Sequence, residues 1–188
     1  AITGSKTFTP TNLHGNGPAT RMRIQLNNSN SFPLTNVAFT DNFPTQLELA
    51  ATPNVSNSCG GAVTAVGGGF SLALSGGTIP ASGNCVIQAD VVARLPNTSP
   101  NDGNATNSIA ANNVTSAQGA RNTAAISRTI RVQKAASVTK AFSPAGIVAG
   151  GSSTLTITLR NFNATAISGF NFTDTMPAGI TVVGPATT

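Results

Sequence analysis

Polar and apolar residues alternate without error over Arg21-Met22-Arg23-Ile24-Gln25-Leu26, and again over Thr154-Leu155-Thr156-Ile157-Thr158-Leu159. Successive side chains of a strand point to opposite faces. Met22, Ile24 and Leu26 are therefore expected to face one core, and Leu155, Ile157 and Leu159 another. Further strands are expected at 34–39, 47–50, 70–74, 85–93, 122–126 and 129–132, and Val138–Phe142 opens a new set. Turn signals separate them: Asn27-Asn28, Gly67-Gly68-Gly69, Gly76-Gly77, Pro80, Ser82-Gly83-Asn84 and the stretch 96–104. No helical period emerges, and 19 Gly and 11 Pro spread along the chain oppose long helices. Short strands with Gly/Asn turns predict an all-β, immunoglobulin-like antiparallel sandwich.

The pattern also repeats. Lys6-Thr7-Phe8-Thr9-Pro10 returns as Lys140-Ala141-Phe142-Ser143-Pro144, an offset of 134 residues. Phe39-Thr40-Asp41 with Pro44 returns as Phe172-Thr173-Asp174 with Pro177, an offset of 133. A repeat this long is a whole domain rather than a solenoid turn. Residues 1–135 are expected to form one complete sandwich, and 136–188 the opening part of a second. That part should supply three or four strands with an apolar face from Leu155, Ile157, Leu159, Phe170 and Phe172. The linker is short, about Gln133–Ser137, which predicts a semi-rigid rod.

Charged residues make up only 8% of the chain while 39% is hydrophobic, so polarity comes from Asn, Thr, Ser and Gly. Charge-driven disorder is thereby excluded. The net charge of +5 raises a nucleic-acid reading. Only Arg128, Arg131 and Lys134 cluster, on an expected strand, and Trp and Tyr are absent, so no nucleic-acid partner is expected. No run of 18 apolar residues is present to span a membrane. Ala1-Ile2-Thr3-Gly4-Ser5 has the character of a mature N-terminus, so an exported protein is expected to have lost its signal or to carry it outside this sequence.

Cys59 and Cys85 are the two cysteines. In a low-charge, Ser/Thr/Asn-rich chain they suggest a disulfide in an oxidising compartment, against the alternative of two buried thiols. The bridge would stabilise by about 3 kcal/mol. With His14 the lone histidine, no zinc site is expected, and a catalytic triad would have to use this loop residue. Asp41 and Glu48 flank a Pro-containing bend, but Thr181 stands where Glu48 would repeat, which argues against a glycosidase pair. Asp102-Gly103-Asn104 is a weak calcium candidate. No catalytic residue, cofactor or metal is expected.

Lys6 and Lys140, and Asp41 and Asp174, repeat. The aspartates read best as acceptors for turn N–H groups at strand ends. A Lys–Asp pair is also able to form a buried salt bridge or a Lys–Asn/Asp isopeptide crosslink. The crosslink is disfavoured because no Glu repeats beside them to relay a proton. Asn-x-Ser/Thr sequons begin at Asn27, Asn54, Asn97, Asn104, Asn113, Asn163 and Asn171 and read as surface loops.

Ser137–Pro144, Gly150–Ile157, Asn161 and Phe172–Ile180 resemble the bacterial tandem surface repeats known as domain of unknown function eleven. Cys59-Gly60-Gly61, Gly77-Thr78-Ile79-Pro80 and Gly83-Asn84-Cys85 are similar to a narrower set of such repeats. The resemblance implies tandem immunoglobulin-like sandwiches in large secreted or surface-anchored proteins, and brings no catalytic residues. The expected function is a non-enzymatic structural module outside a bacterial cell: an adhesin stalk or spacer, or a fibre building block. Its expected partners are adjacent repeats or neighbouring protomers, with cell-surface or glycan contacts. One alternative is a filament subunit whose second sandwich a neighbouring protomer completes. Another is a carbohydrate-binding sandwich, which the lack of Trp and Tyr disfavours.

Overall fold

A computed structural model describes residues 1–15, 17–94, 103–163 and 165–184. Every regular element among them is a strand: β1 (Ile2–Thr9), β2 (Asn12–His14), β3 (Thr20–Asn28), β4 (Leu34–Asn42), β5 (Leu47–Leu49), β6 (Ser56–Asn57), β7 (Ala62–Thr64), β8 (Ser71–Ile79), β9 (Gly83–Ala93), β10 (Gly103–Ile109), β11 (Ile126–Gln133), β12 (Ser137–Ser143) and β13 (Thr154–Arg160). One sheet runs β1-β3-β9-β5, with β6 also on β9; two smaller ones run β10-β11-β2 and β4-β8-β7. Their inner faces share one buried cluster that includes Phe8, Met22, Ile24, Leu26, Phe39, Leu72, Ile87 and Ile130. The chain is an all-β sandwich, and among the described residues pairing is antiparallel except where β2 lies parallel to β11 and where Ile2 bridges Asn122.

Strand β3 follows its sequence pattern: Met22, Ile24 and Leu26 are buried while Arg21, Arg23 and Gln25 are half-buried. The strand extends through Asn27-Asn28, where a turn was expected. Asn28 is buried and anchors the loop that follows, donating to the Phe32 carbonyl at 2.8 Å and accepting from the Asn30 backbone N–H at 2.9 Å. Gly76-Gly77 likewise lies inside β8 rather than at a turn. The opposing strand β4 shifts register there, on either side of Val37, next to Asn36 with φ of 50°. An extra residue in the left-handed region is how a bulge is absorbed without ending a ladder. The Cys-Gly-Gly motif has a steric reason: Gly61 has φ of +67°, and a Cβ there would sit 2.2 Å from the Ser75 carbonyl oxygen.

Other expectations need correction. The segment 122–126 is not a strand; β11 begins at Ile126. Asn122 is instead a buried plug, accepting from Val114 N–H and donating to the Ala110 and Ala124 carbonyls. Strands β1 and β10 escaped the apolar pattern. Most of the expected turn at 96–104 lies outside the described residues, but Gly103 and Asn104 open β10. Of the sequons, Asn27 and Asn104 lie within strands, and Asn97 is outside the described residues.

The second stretch repeats the first in detail. Lys6 faces Ile24 and Phe8 faces Met22 across β1 and β3; Lys140 faces Ile157 and Phe142 faces Leu155 across β12 and β13. Asn161 repeats Asn28, donating to the Thr165 carbonyl and accepting from Asn163 N–H. However, β12 and β13 are the only strands described after residue 136, where three or four were expected. The physical reason is pairing. In the first stretch β4 finds its hydrogen bonds on β8, and among the described residues after 136 no strand plays the part of β8. Phe170–Asp174 therefore lies near β12 without a ladder.

Candidate functional site

Three polar side chains occupy inward positions of three strands. On β1 the inward row is Ile2, Gly4, Lys6 and Phe8; on β4 it ends Val37, Phe39, Asp41; on β10 it is Ala105, Asn107 and Ile109. Lys6 is 3% exposed, and Asp41 and Asn107 are 0% exposed. Lys6 Nζ donates to both carboxylate oxygens of Asp41 at 2.8 Å and to Asn107 Oδ1 at 2.6 Å. Asn107 Nδ2 donates to Asp41 Oδ1 at 2.8 Å and to the Asn42 carbonyl at 3.2 Å. The carboxylate thus bridges the amine nitrogen and the amide nitrogen.

Burial sets the electrostatics. Desolvation pushes the Lys6 amine below its ordinary value of 10.5, with the Asp41 charge and hydrogen bond opposing. Desolvation likewise pushes the Asp41 carboxyl above 3.8, opposed by the Lys6 charge and by hydrogen bonds from Lys6 and Asn107. Both groups move toward their neutral forms, as expected for charges deprived of water. Removing one partner would strand the other inside the core.

Asp41 is thus not the acceptor of turn N–H groups that its place before a bend suggested; its hydrogen bonds come from two side chains on other strands. Asn107 was missed altogether. Its one sequence signal is a polar residue between Ala105 and Ile109 on the inward row of a strand.

The repeated pair forms too, in other surroundings. Lys140 Nζ lies 2.8 Å from each Asp174 oxygen, with side chains 37% and 24% exposed. It faces an open groove lined by Val138, Lys140, Ile157, Phe172, Thr173 and Asp174. Among the described residues, no asparagine side chain bonds either member.

Cys59 and Cys85 are joined, their Cα atoms 4.9 Å apart. Cys85 lies on β9, while the Cys59 carbonyl accepts from Thr78 N–H of β8, so the bridge ties the large sheet to the facing layer. Other candidates stay apart. His14 is exposed at the end of β2, Glu48 is half-buried on β5, and Asp90 pairs with Arg21 at 3.0 Å. Asp102 lies outside the described residues. Among the described residues no three His, Cys, Asp or Glu side chains cluster as metal ligands. No helix there is long and apolar enough to cross a membrane.

The family model described as Domain of unknown function (DUF7933) matches residues 3–132 and 136–188. That designation differs from the domain of unknown function eleven suggested by the motifs, which the match does not support. Among curated proteins none matches. Solved structures similar to this chain include a cohesin module of a family 33 glycoside hydrolase from Clostridium perfringens (10% identity, TM-score 0.46, 72% of this chain and 100% of that one). They also include BcpA, the major pilin subunit of Bacillus cereus (13%, 0.47, 73% and 41%). A third is the collagen-binding domain of a Staphylococcus aureus adhesin (13%, 0.44, 68% and 96%).

Proposed function

We propose that this chain, which belongs to the DUF7933 domain family, is a mechanical module of a secreted or surface-anchored bacterial protein. It acts as a spacer or stalk built from tandem sandwiches, residues 1–135 being one complete repeat and 136–188 the opening of the next. It acts on no substrate. The observation that carries this reading is the junction. Only residues 134–136 separate β11 from β12. Their path is pinned by Asn163, which accepts from Lys134 N–H at 2.6 Å and donates to the Lys134 carbonyl at 2.9 Å. Gln133 adds a bond to Thr165 at 3.0 Å. A short linker held at both backbone groups transmits load and orientation instead of swivelling.

A second reading is favoured by the apolar face of 136–188, where Val138, Leu159, Phe170 and Phe172 stand 45–50% exposed. In residues 1–135 the matching face is covered by the later strands of the same repeat. A filament subunit would receive those strands from a neighbouring protomer. Light scattering across a dilution series separates the two. A monodisperse monomer supports the spacer, and polymers that survive dilution support strand supply between protomers. Residual dipolar couplings then test the junction: one alignment tensor for both stretches is expected, and independent tensors would remove the rigid-spacer reading.

A further inference from the structure

We infer that Lys6 and Asn107 join through an isopeptide bond formed by the chain itself, with Asp41 relaying the protons. The inference does not depend on the spacer reading. It rests on three reacting groups held together where water is excluded.

The nucleophile is the Lys6 amine and the electrophile is the Asn107 side-chain amide. Lys6 Nζ is 2.6 Å from Asn107 Oδ1. A C=O bond is about 1.2 Å long, so Cγ lies within about 3.8 Å of the amine nitrogen, close to the separation of reactive partners. Asp41 Oδ1 is 2.8 Å from both Lys6 Nζ and Asn107 Nδ2, the nitrogens of the nucleophile and of the leaving group. One carboxyl is therefore placed to take a proton from the first and deliver it to the second.

The steps balance with no further reactant. Asp41 takes one proton from the Lys6 ammonium, giving a neutral amine and a neutral acid. The amine lone pair attacks Cγ, forming the Nζ–Cγ bond and placing negative charge on Oδ1. Asp41 passes its proton to Nδ2 and recovers one from Nζ. The carbonyl re-forms, the Cγ–Nδ2 bond breaks, and ammonia leaves. Nothing is oxidised or reduced, and Asp41 ends protonated unless the ammonia carries that proton away. Burial supports the sequence, because it pushes the amine and the carboxyl toward the neutral forms that attack requires. The objection that no glutamate stands beside the pair is answered by position: Asp41 itself touches both nitrogens.

The second pair marks the boundary of the proposal. Lys140 and Asp174 have the amine and the relay, but among the described residues no amide is bonded to them. One bond is expected in this chain, not two.

The test is the intact mass of the full chain, denatured and with its disulfide reduced. A mass lower than that of the sequence by one ammonia is expected, with proteolysis yielding a branched peptide that contains both Lys6 and Asn107. The calculated mass, unchanged, would overturn the proposal whatever any variant does. So would an ammonia loss mapped to one asparagine alone, since succinimide formation has the same mass signature. Lys6→Met and Asn107→Ala are expected at full mass. Asp41→Ala is expected to leave most chains unlinked, and complete crosslinking in that variant would remove Asp41 as the relay. A folded Lys6→Met, judged by its amide spectrum, guards against attributing the loss to misfolding.

Discussion

Two lysine–aspartate pairs, at positions equivalent in the repeat, sit at the same 2.8 Å separation, yet one is sealed in a core and the other borders an open groove. Their contact geometry is therefore local. It follows from a first strand and the Phe-Thr-Asp segment some 35 residues later, both present in each stretch. Their environment is not local. Lys6 and Asp41 lose water because β8, β10 and β11 close over them, and Asn107 arrives on β10. The same two residues are a solvated ion pair, worth about 0–1 kcal/mol, in one setting. In the other they are a desolvated pair whose parting is costly. Proximity comes from the repeat's opening strands, and reactivity from its later ones.

The comparison is most sharply broken at the phenylalanines that precede the two aspartates. Phe39 is 4% exposed and Phe172 is 49% exposed. Phe39→Ala should cost about 3–5 kcal/mol of unfolding free energy, combining lost transfer and a residual cavity. Phe172→Ala should stay within about 0.5 kcal/mol. Denaturant titration of both variants measures this. Equal losses would mean that the second face is covered in solution, and the contrast between the stretches would vanish.

The same contrast explains how far the sequence could be read. Strand β3 was legible because Met22, Ile24 and Leu26 keep its central inward positions apolar, its buried polar residues Thr20 and Asn28 standing only at the two ends, and the long repeat was legible because Lys, Phe and Asp recur at fixed offsets. Strands β1 and β10 were not, because Gly4, Lys6 and Asn107 interrupt their inward rows. Two of those three residues form the site. A polar residue on a core-facing row violates the binary pattern and survives only where partners are supplied, so pattern reading fails where chemistry sits. Asn107 also lacks a repeat partner within the sequence, whereas Lys6 and Asp41 have theirs. Asn122 hid for a related reason: it makes one isolated bridge to Ile2, and its buried side chain bonds three further backbone groups, which looks like neither strand nor turn.

Next in size is the disulfide, which belongs to residues 1–135 alone. Cys59→Ser should lower the stability of that sandwich by about 3 kcal/mol, the loop-closure contribution for cysteines 26 apart. Hydrogen exchange resolves where the loss falls. Amides of β3, β8 and β9 should exchange faster, while those of β12 and β13 should keep their rates. Parallel acceleration in β12 and β13 would show that the two stretches open as one cooperative unit, and the contrast between them would not extend to their stability.

The smallest effect concerns pH and follows from Asp41. Burial raises its folded-state affinity for a proton above that of the unfolded chain, whose carboxyl titrates near 3.8. Between 3.8 and the raised value, the folded protein holds a proton that the unfolded chain has released. Stability contributed by this group is therefore present at the acidic end of the window and lost as pH rises through it. This is opposite in sign to a carboxylate whose folded-state value is depressed by an ion pair. The sign holds with or without the crosslink, since amide formation removes the Lys6 charge that opposes the shift. Denaturant unfolding from pH 4 upward should show this downward contribution in the native chain and lose it in Asp41→Asn. An unchanged slope in Asp41→Asn would mean that burial does not set the proton affinity of this carboxyl, and the division between proximity and reactivity drawn above would fail.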